Sequence, residues 1–156
     1  MLYRQKETIL SLLKLNEVNR SYEKRYWFSY KDFLDPTDSF TDFACERLEG
    51  KQGYIDLIDN LLRLDSCAKI FVEVYGFESD DDDTQYIYAD TLIIFSELSL
   101  FEIKHVFNRS NDVFPSDIGE ISDFSRQIFI VDDNSDLVSA VNLFCDRYSV
   151  YYCWWD

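Results

Sequence analysis

From Lys69 onward the apolar residues fall on alternate positions, and this change of period constrains the fold more than any other feature. KIFVEVYGF places Ile70, Val72 and Val74 on one side of an extended chain and Phe71, Glu73 and Tyr75 on the other. Period two, carried by β-branched and aromatic residues, predicts a strand. TQYIYADTLIIFS reads as a second, longer strand. The polar run between them has no Asn-Gly or Asp-Gly pair, so an antiparallel hairpin with a longer loop is expected.

Before Lys69 the period is that of a helix. ETILSLLKLNEV sets Ile9, Leu12 and Leu13 on one face, widened by Leu10 and Leu15. NRSYEKRYWFSYKDFLDP is basic and aromatic, is taken with the helical half, and is closed by Pro36. TDSFTDFACERLEG spaces Phe40, Phe43, Ala44, Arg47 and Leu48 as a short helix, with Asp38 or Ser39 to cap it and Gly50 to end it. GYIDLIDNLLRLDS gathers Tyr54, Ile55, Ile58, Leu61 and Leu62 into a third amphipathic helix.

The best-marked helix start is in LSLFEIKHVF. Ser99 and Glu102 form a capping box, and Leu98 and Ile103 stand where a hydrophobic staple closes. RSNDVFPSDIGEISDFS reads as a loop. RQIFIVDD is a third strand, NSD caps a helix with Leu137, Val141, Phe144 and Tyr148 on one face, and SVYYCWWD is strongly β-prone. The expectation is an α+β chain: N-terminal helices, then β-β-α-β-α-β, in a mainly antiparallel sheet with helices packed on it. At 156 residues it is read as one domain, with a helical half 1–68 and a mixed half 69–156.

Charge divides at the same place. Residues 1–69 hold 11 Lys+Arg and 12 Asp+Glu, a net of −1, whereas residues 70–156 hold 4 and 18, a net of −14. Nucleic acid and anionic membranes are bound through Lys and Arg, so neither is expected as a partner. A basic protein is, because a one-signed surface steers an oppositely charged one. No apolar run approaches the roughly 20 residues of a membrane span, and the N-terminus lacks the apolar core of a signal peptide, so a cytoplasmic location is expected.

Catalytic and cofactor motifs are not found in the sequence. Cys45, Cys67, Cys145 and Cys153 form no C-x-x-C pair, and they are read as small core residues. Asp80 to Asp83 fail as a calcium loop: counted from Asp80, the glycine position holds Gln85 and the terminal acidic position holds Thr91. Asp132, Asp133 and Asp136 follow a strand, where carboxylates can hold magnesium; helix capping explains them as well. The lone histidine, His105, has no nucleophile or orienting partner at a recognisable spacing. The chain is read as a non-enzyme with no cofactor and no metal. The competing readings are a magnesium-dependent enzyme using the Asp132 cluster and an acidic mimic of nucleic acid.

Aromatic residues are the remaining signal. Tyr86 and Tyr88 share one side of a strand just after the aspartates, and Trp154 and Trp155 crowd the C-terminus. Tyrosine and tryptophan are frequent anchors at protein interfaces. Size, acidity, aromatic content and the segment YADTLIIFSELSLFEIKHVFNRSNDVFPSDIGE together resemble the bacterial toxin-immunity proteins of contact-dependent growth inhibition systems. That resemblance implies a tight complex with a toxin domain, often a nuclease, whose active site or substrate groove is blocked. On this reading Glu78, Asp80, Asp81, Asp82 and Asp83 contact a basic toxin surface, with Tyr86, Tyr88, Trp154 and Trp155 as anchors.

Overall fold

The structure, a computed structural model, describes residues 1–21, 23–44, 50–108, 114–124, 126–143 and 147–156. The elements run α1 (Tyr3–Val18), β1 (Lys24–Ser29), α2 (Tyr30–Phe33), β2 (Thr41–Phe43), α3 (Lys51–Leu64), β3 (Lys69–Val74), β4 (Glu78–Ser79), β5 (Gln85–Ala89), β6 (Thr91–Ser96), α4 (Leu100–Asn108), β7 (Asp117–Glu120), β8 (Gln127–Val131), β9 (Leu137–Ser139), a 3₁₀ turn (Ala140–Leu143) and β10 (Ser149–Trp154). The class is α+β, as expected. A seven-stranded sheet has the order β7-β10-β6-β3-β1-β8-β9, antiparallel except where β1 meets β8.

The alternation in β3 separates the two faces of this sheet. Ile70, Val72 and Val74 join Tyr26, Phe28, Leu92, Ile94, Tyr151 and Cys153 under α1, α3 and α4. Ile9 and Leu13 of α1, Tyr54, Ile58 and Leu61 of α3, and Ile103 and Phe107 of α4 close that layer. The other face carries Trp27, Ile93, Phe95, Ile128 and Val150, and no α-helix among the described residues packs on it. A smaller three-stranded sheet, β2-β5-β4, hands Phe43, Ile87 and Ala89 to the main core.

The α4 capping box forms as read: Glu102 N–H donates to Ser99 Oγ at 3.2 Å, and Ser99 N–H to Glu102 Oε2 at 2.7 Å. Such a cap is worth about 1 kcal/mol. Lys51 is a buried cation that the sequence did not mark. Its ammonium donates to Thr41 Oγ1 at 2.6 Å and to the backbone carbonyls of Asp35 and Asp38, so the start of α3 is tied to the loop before β2. Asp38 nearby accepts from Lys6 Nζ, the Met1 amine and Phe40 N–H. Burial opposes its charge, but those donors prevail and bring its pKa to about 2.

Four local expectations are corrected. KRYWFS, taken with the helical half, is the strand β1 and lies near the middle of the sheet, so residues 1–68 are not wholly helical. Thr41–Phe43 is a strand where a helix was expected; Cys45 to Glu49, the rest of that segment, lie outside the described residues. The long strand TQYIYADTLIIFS breaks at Asp90 into β5 and β6, which belong to different sheets, and β3 pairs only with the second of them. Where a helix is expected after Asp136, Leu137–Ser139 is the edge strand β9 and Ala140–Leu143 a 3₁₀ turn; Phe144, of the same expected helix, lies outside the described residues. In addition, the loop read over RSNDVFPSDIGEISDFS contains the edge strand β7.

Candidate functional site

The acidic run forms the tip of a hairpin. Glu78 and Ser79 of β4 pair with Tyr86 and Gln85 of β5. Asp80 builds the turn between them. Its backbone N–H donates to Thr84 O at 3.0 Å, its carbonyl accepts from Asp83 N–H at 3.0 Å, and its carboxylate accepts from Asp82 N–H and Thr84 N–H. Asp83 takes the left-handed φ of 59° that lets the chain return. Asp81, Asp82, Asp83 and Glu78 are exposed, and among the described residues no cation pairs with them. The aspartates are therefore not equivalent. One is consumed by the turn, while the next three and Glu78 present unneutralised carboxylates. Tyr86 and Tyr88 are half-buried on the side of β5 opposite the core residue Ile87.

The second acidic cluster is the same device. Asp132 N–H donates to Asp136 O, Ser135 N–H donates to Asp132 O, and the Asp132 carboxylate accepts from Asn134 and Asp136 N–H. Ser135, at a φ of 67°, stands where Asp83 stands in the first turn. Asp132 thus caps the β8–β9 turn rather than a helix. Among the described residues no group of three or more His, Cys, Asp or Glu side chains converges as metal ligands would.

The paired tryptophans part company. Trp155 is buried at 4% exposure, its ring edge-on to Phe43, Tyr54 and Phe107, so it belongs to the core and offers no surface to a partner. Trp154 is 38% exposed and borders a cleft of about 490 Å³ on the helix-free face. Trp27, Glu73, Thr91 and Ile93 contribute to the floor, and Ile121, Asp123, Phe124 and Arg126, from the segment between β7 and β8, form a wall.

Strand register explains this cleft. Asp117, Trp154, Thr91, Glu73 and Trp27 are consecutive partners across β7, β10, β6, β3 and β1. Directly paired residues point to the same face, so these five side chains form one row. Tyr152, two residues before Trp154, donates its hydroxyl to Asp117 Oδ2 at 2.7 Å. Gly119 lies beneath that ring; a Cβ there would stand 2.6 Å from ring atoms of Tyr152, so glycine permits the contact. Asp90, at the β5–β6 break, accepts from Trp154 Nε1 at 3.2 Å and from Tyr75 hydroxyl at 3.4 Å.

Glu73 is the unusual group. Among the described residues its carboxyl accepts one hydrogen bond, from Trp27 Nε1 at 3.4 Å. Burial raises its pKa, a shift that Arg25, the Trp27 bond and Arg126 only partly offset. The Arg25 guanidinium stacks 4.3 Å over the Tyr75 ring, and neither it nor Arg126 comes within 4.0 Å of the Glu73 carboxylate. Burial also lowers the Arg25 pKa.

Among the candidates set aside, His105 is exposed on α4 and stacks on Phe101. Cys153 is buried, which pushes its thiol pKa up, whereas Cys67 is exposed and does not fit a core role. Cys45 and Cys145 lie outside the described residues. Among the described residues no helix is long and apolar enough to cross a membrane. Of the cleft residues, only Trp154 was singled out from sequence. The signal available was Glu73, a charged residue inside an otherwise apolar strand. No family model, curated protein or solved structure matches this chain.

Proposed function

We propose that this chain is an immunity protein, which binds a basic bacterial toxin domain and blocks its active site or substrate groove. The observation that carries the reading is the β4–β5 hairpin. A carboxylate-built turn presents Asp81, Asp82, Asp83 and Glu78 with no cation among the described residues beside them. A hydrogen-bonded turn loses less conformational freedom on association than a loose loop, so more of the electrostatic attraction remains as affinity. A nuclease concentrates Lys and Arg where it holds phosphates, and such a surface is the natural complement of this tip. Tyr86 and Tyr88, on the outward side of β5, supply the apolar contact that charge alone lacks.

Growth protection tests this. The bacterial toxin domain that this chain captures, found by screening candidate effector domains for binding, is induced in bacteria with and without the chain. Protection is expected. Changing Asp81, Asp82 and Asp83 together to lysine should slow capture of the purified effector by about tenfold or more at low salt and flatten its salt dependence. Growth arrest that persists with the chain present overturns the reading.

A further inference from the structure

We propose that the cleft on the helix-free face is a receptor for a single arginine side chain, held along the row from Trp154 to Glu73. The inference deepens the proposed function and rests on it for the source of the arginine, the toxin. The chemistry of the cleft stands on other observations.

The first is capacity. An ionised carboxylate has about four acceptor positions. Among the described residues Glu73 uses one, at 3.4 Å, and it lines the cleft with the rest of its acceptor capacity open to a ligand. A group so placed is matched by a ligand that brings several donors on one plane, and guanidinium is that ligand. The second is shape. The row crosses β10, β6 and β3, and strands lie about 4.8 Å apart, so Glu73 stands roughly 10 Å from Trp154. An extended arginine covers most of that span, with its backbone at the exposed Trp154 and its aliphatic stem over Thr91.

The third is charge. Glu73, Asp117 and Asp123 line the cleft and Asp90 borders it; Arg126 lines it and Arg25 adjoins it. Carboxylates outnumber guanidinium groups. Arg25 is turned onto Tyr75, and neither Arg25 nor Arg126 comes within 4.0 Å of the Glu73 carboxylate. Trp154 Nε1 donates to Asp90, which fixes the ring at the mouth. A ring held there gives the aliphatic stem an apolar wall, while the planar guanidinium at the far end meets the Glu73 carboxylate.

The probe is N-acetyl-arginine methylamide, followed through the indole N–H resonances of Trp154 and Trp27 in the intact chain. Saturable shifts are expected, with a Kd of roughly 1–10 mM for one side chain alone. The neutral isostere N-acetyl-citrulline methylamide should leave both resonances in place. Glu73→Gln and, separately, Asp123→Asn on the wall should each weaken arginine binding by about threefold or more. An absent or non-saturable response, equal response to citrulline, binding of N-acetyl-glutamate methylamide instead, or arginine binding unchanged in Glu73→Gln each overturns the assignment. The probe needs no toxin. Arginine binding without growth protection leaves the cleft standing and removes the immunity reading; protection without arginine binding does the reverse.

Discussion

Glu73 is a carboxyl group in surroundings that disfavour its charge. Phe71 precedes it on the same face of β3 and Trp27 lies directly opposite, so the strand treats position 73 as apolar. A carboxylate there costs stability that a glutamine would not, and residues of that kind are concentrated at working sites. The sign of the pH effect follows. Burial raises the folded pKa above the ordinary value of 4.5, so over the interval between the two the native chain binds the proton and the unfolded chain does not. Stability contributed by this group is therefore present at pH below the ordinary value and is lost as pH rises through the folded pKa. Glu73→Gln cannot titrate and should gain on the wild type as pH is raised from about 4 to about 8. Denaturant unfolding of both proteins across that range measures it. A difference that stays flat with pH would mean that the carboxyl titrates as it does in the unfolded chain.

At the level of elements, legibility depended on whether one face of each element meets solvent. The helices α1, α3 and α4 have a wet side, so their period showed. Strand β3 alternates because its two faces meet different layers. Strand β1 does not: Tyr26 and Phe28 enter the main core while Trp27 packs with Ile93 and Phe95 on the other face of the sheet, and all three are buried. Three consecutive buried aromatics have no period, so the sequence alone groups KRYWFS with the helices beside it. Strand β6 is buried at all six positions and would have been ambiguous without β-branched residues. The apolar spacing in LVSAVNLF imitates a helix, but Leu137, Val138 and Val141 are exposed. The two aspartate turns were half legible: their acidity was visible, their common hydrogen-bond pattern was not. That pattern makes Asp80 the structural member of its run. Asp80→Ala should free the Asp82 and Thr84 amides and cost the turn about 1 kcal/mol, while leaving the core untouched. Hydrogen exchange should then quicken at residues 82–84 with little change in the core strand β6. Unchanged exchange would show that the carboxylate is not what closes the turn.

Across the whole molecule, the sources of cohesion and of charge are spatially distinct. The main core lies between one face of the large sheet and the helices, whereas many of the carboxylates of residues 70–156, among them Asp80 to Asp83, Asp132 and Asp133, stand on exposed or half-buried turns. The cleft itself could not be read from sequence, because it joins residues as distant as Trp27 and Trp154 through the register of five strands. Like charges at short range oppose folding, and salt relieves that opposition. The Debye length falls from about 30 Å at 0.01 M to about 8 Å at 0.15 M. Over that change the thermal midpoint should rise by about 2–4 °C, the shift that roughly 1 kcal/mol gives a chain of this size. Replacing Asp81, Asp82 and Asp83 with asparagine should raise the midpoint at low salt and reduce the gain from added salt. The same salt should have the opposite effect on capture of a basic partner, since it screens attraction between two surfaces as well as repulsion within one. That opposition of signs is the informative result. A charged surface kept only for solubility would show the first effect without the second, and a midpoint that does not respond to salt would mean that these carboxylates are too dispersed to act together on either.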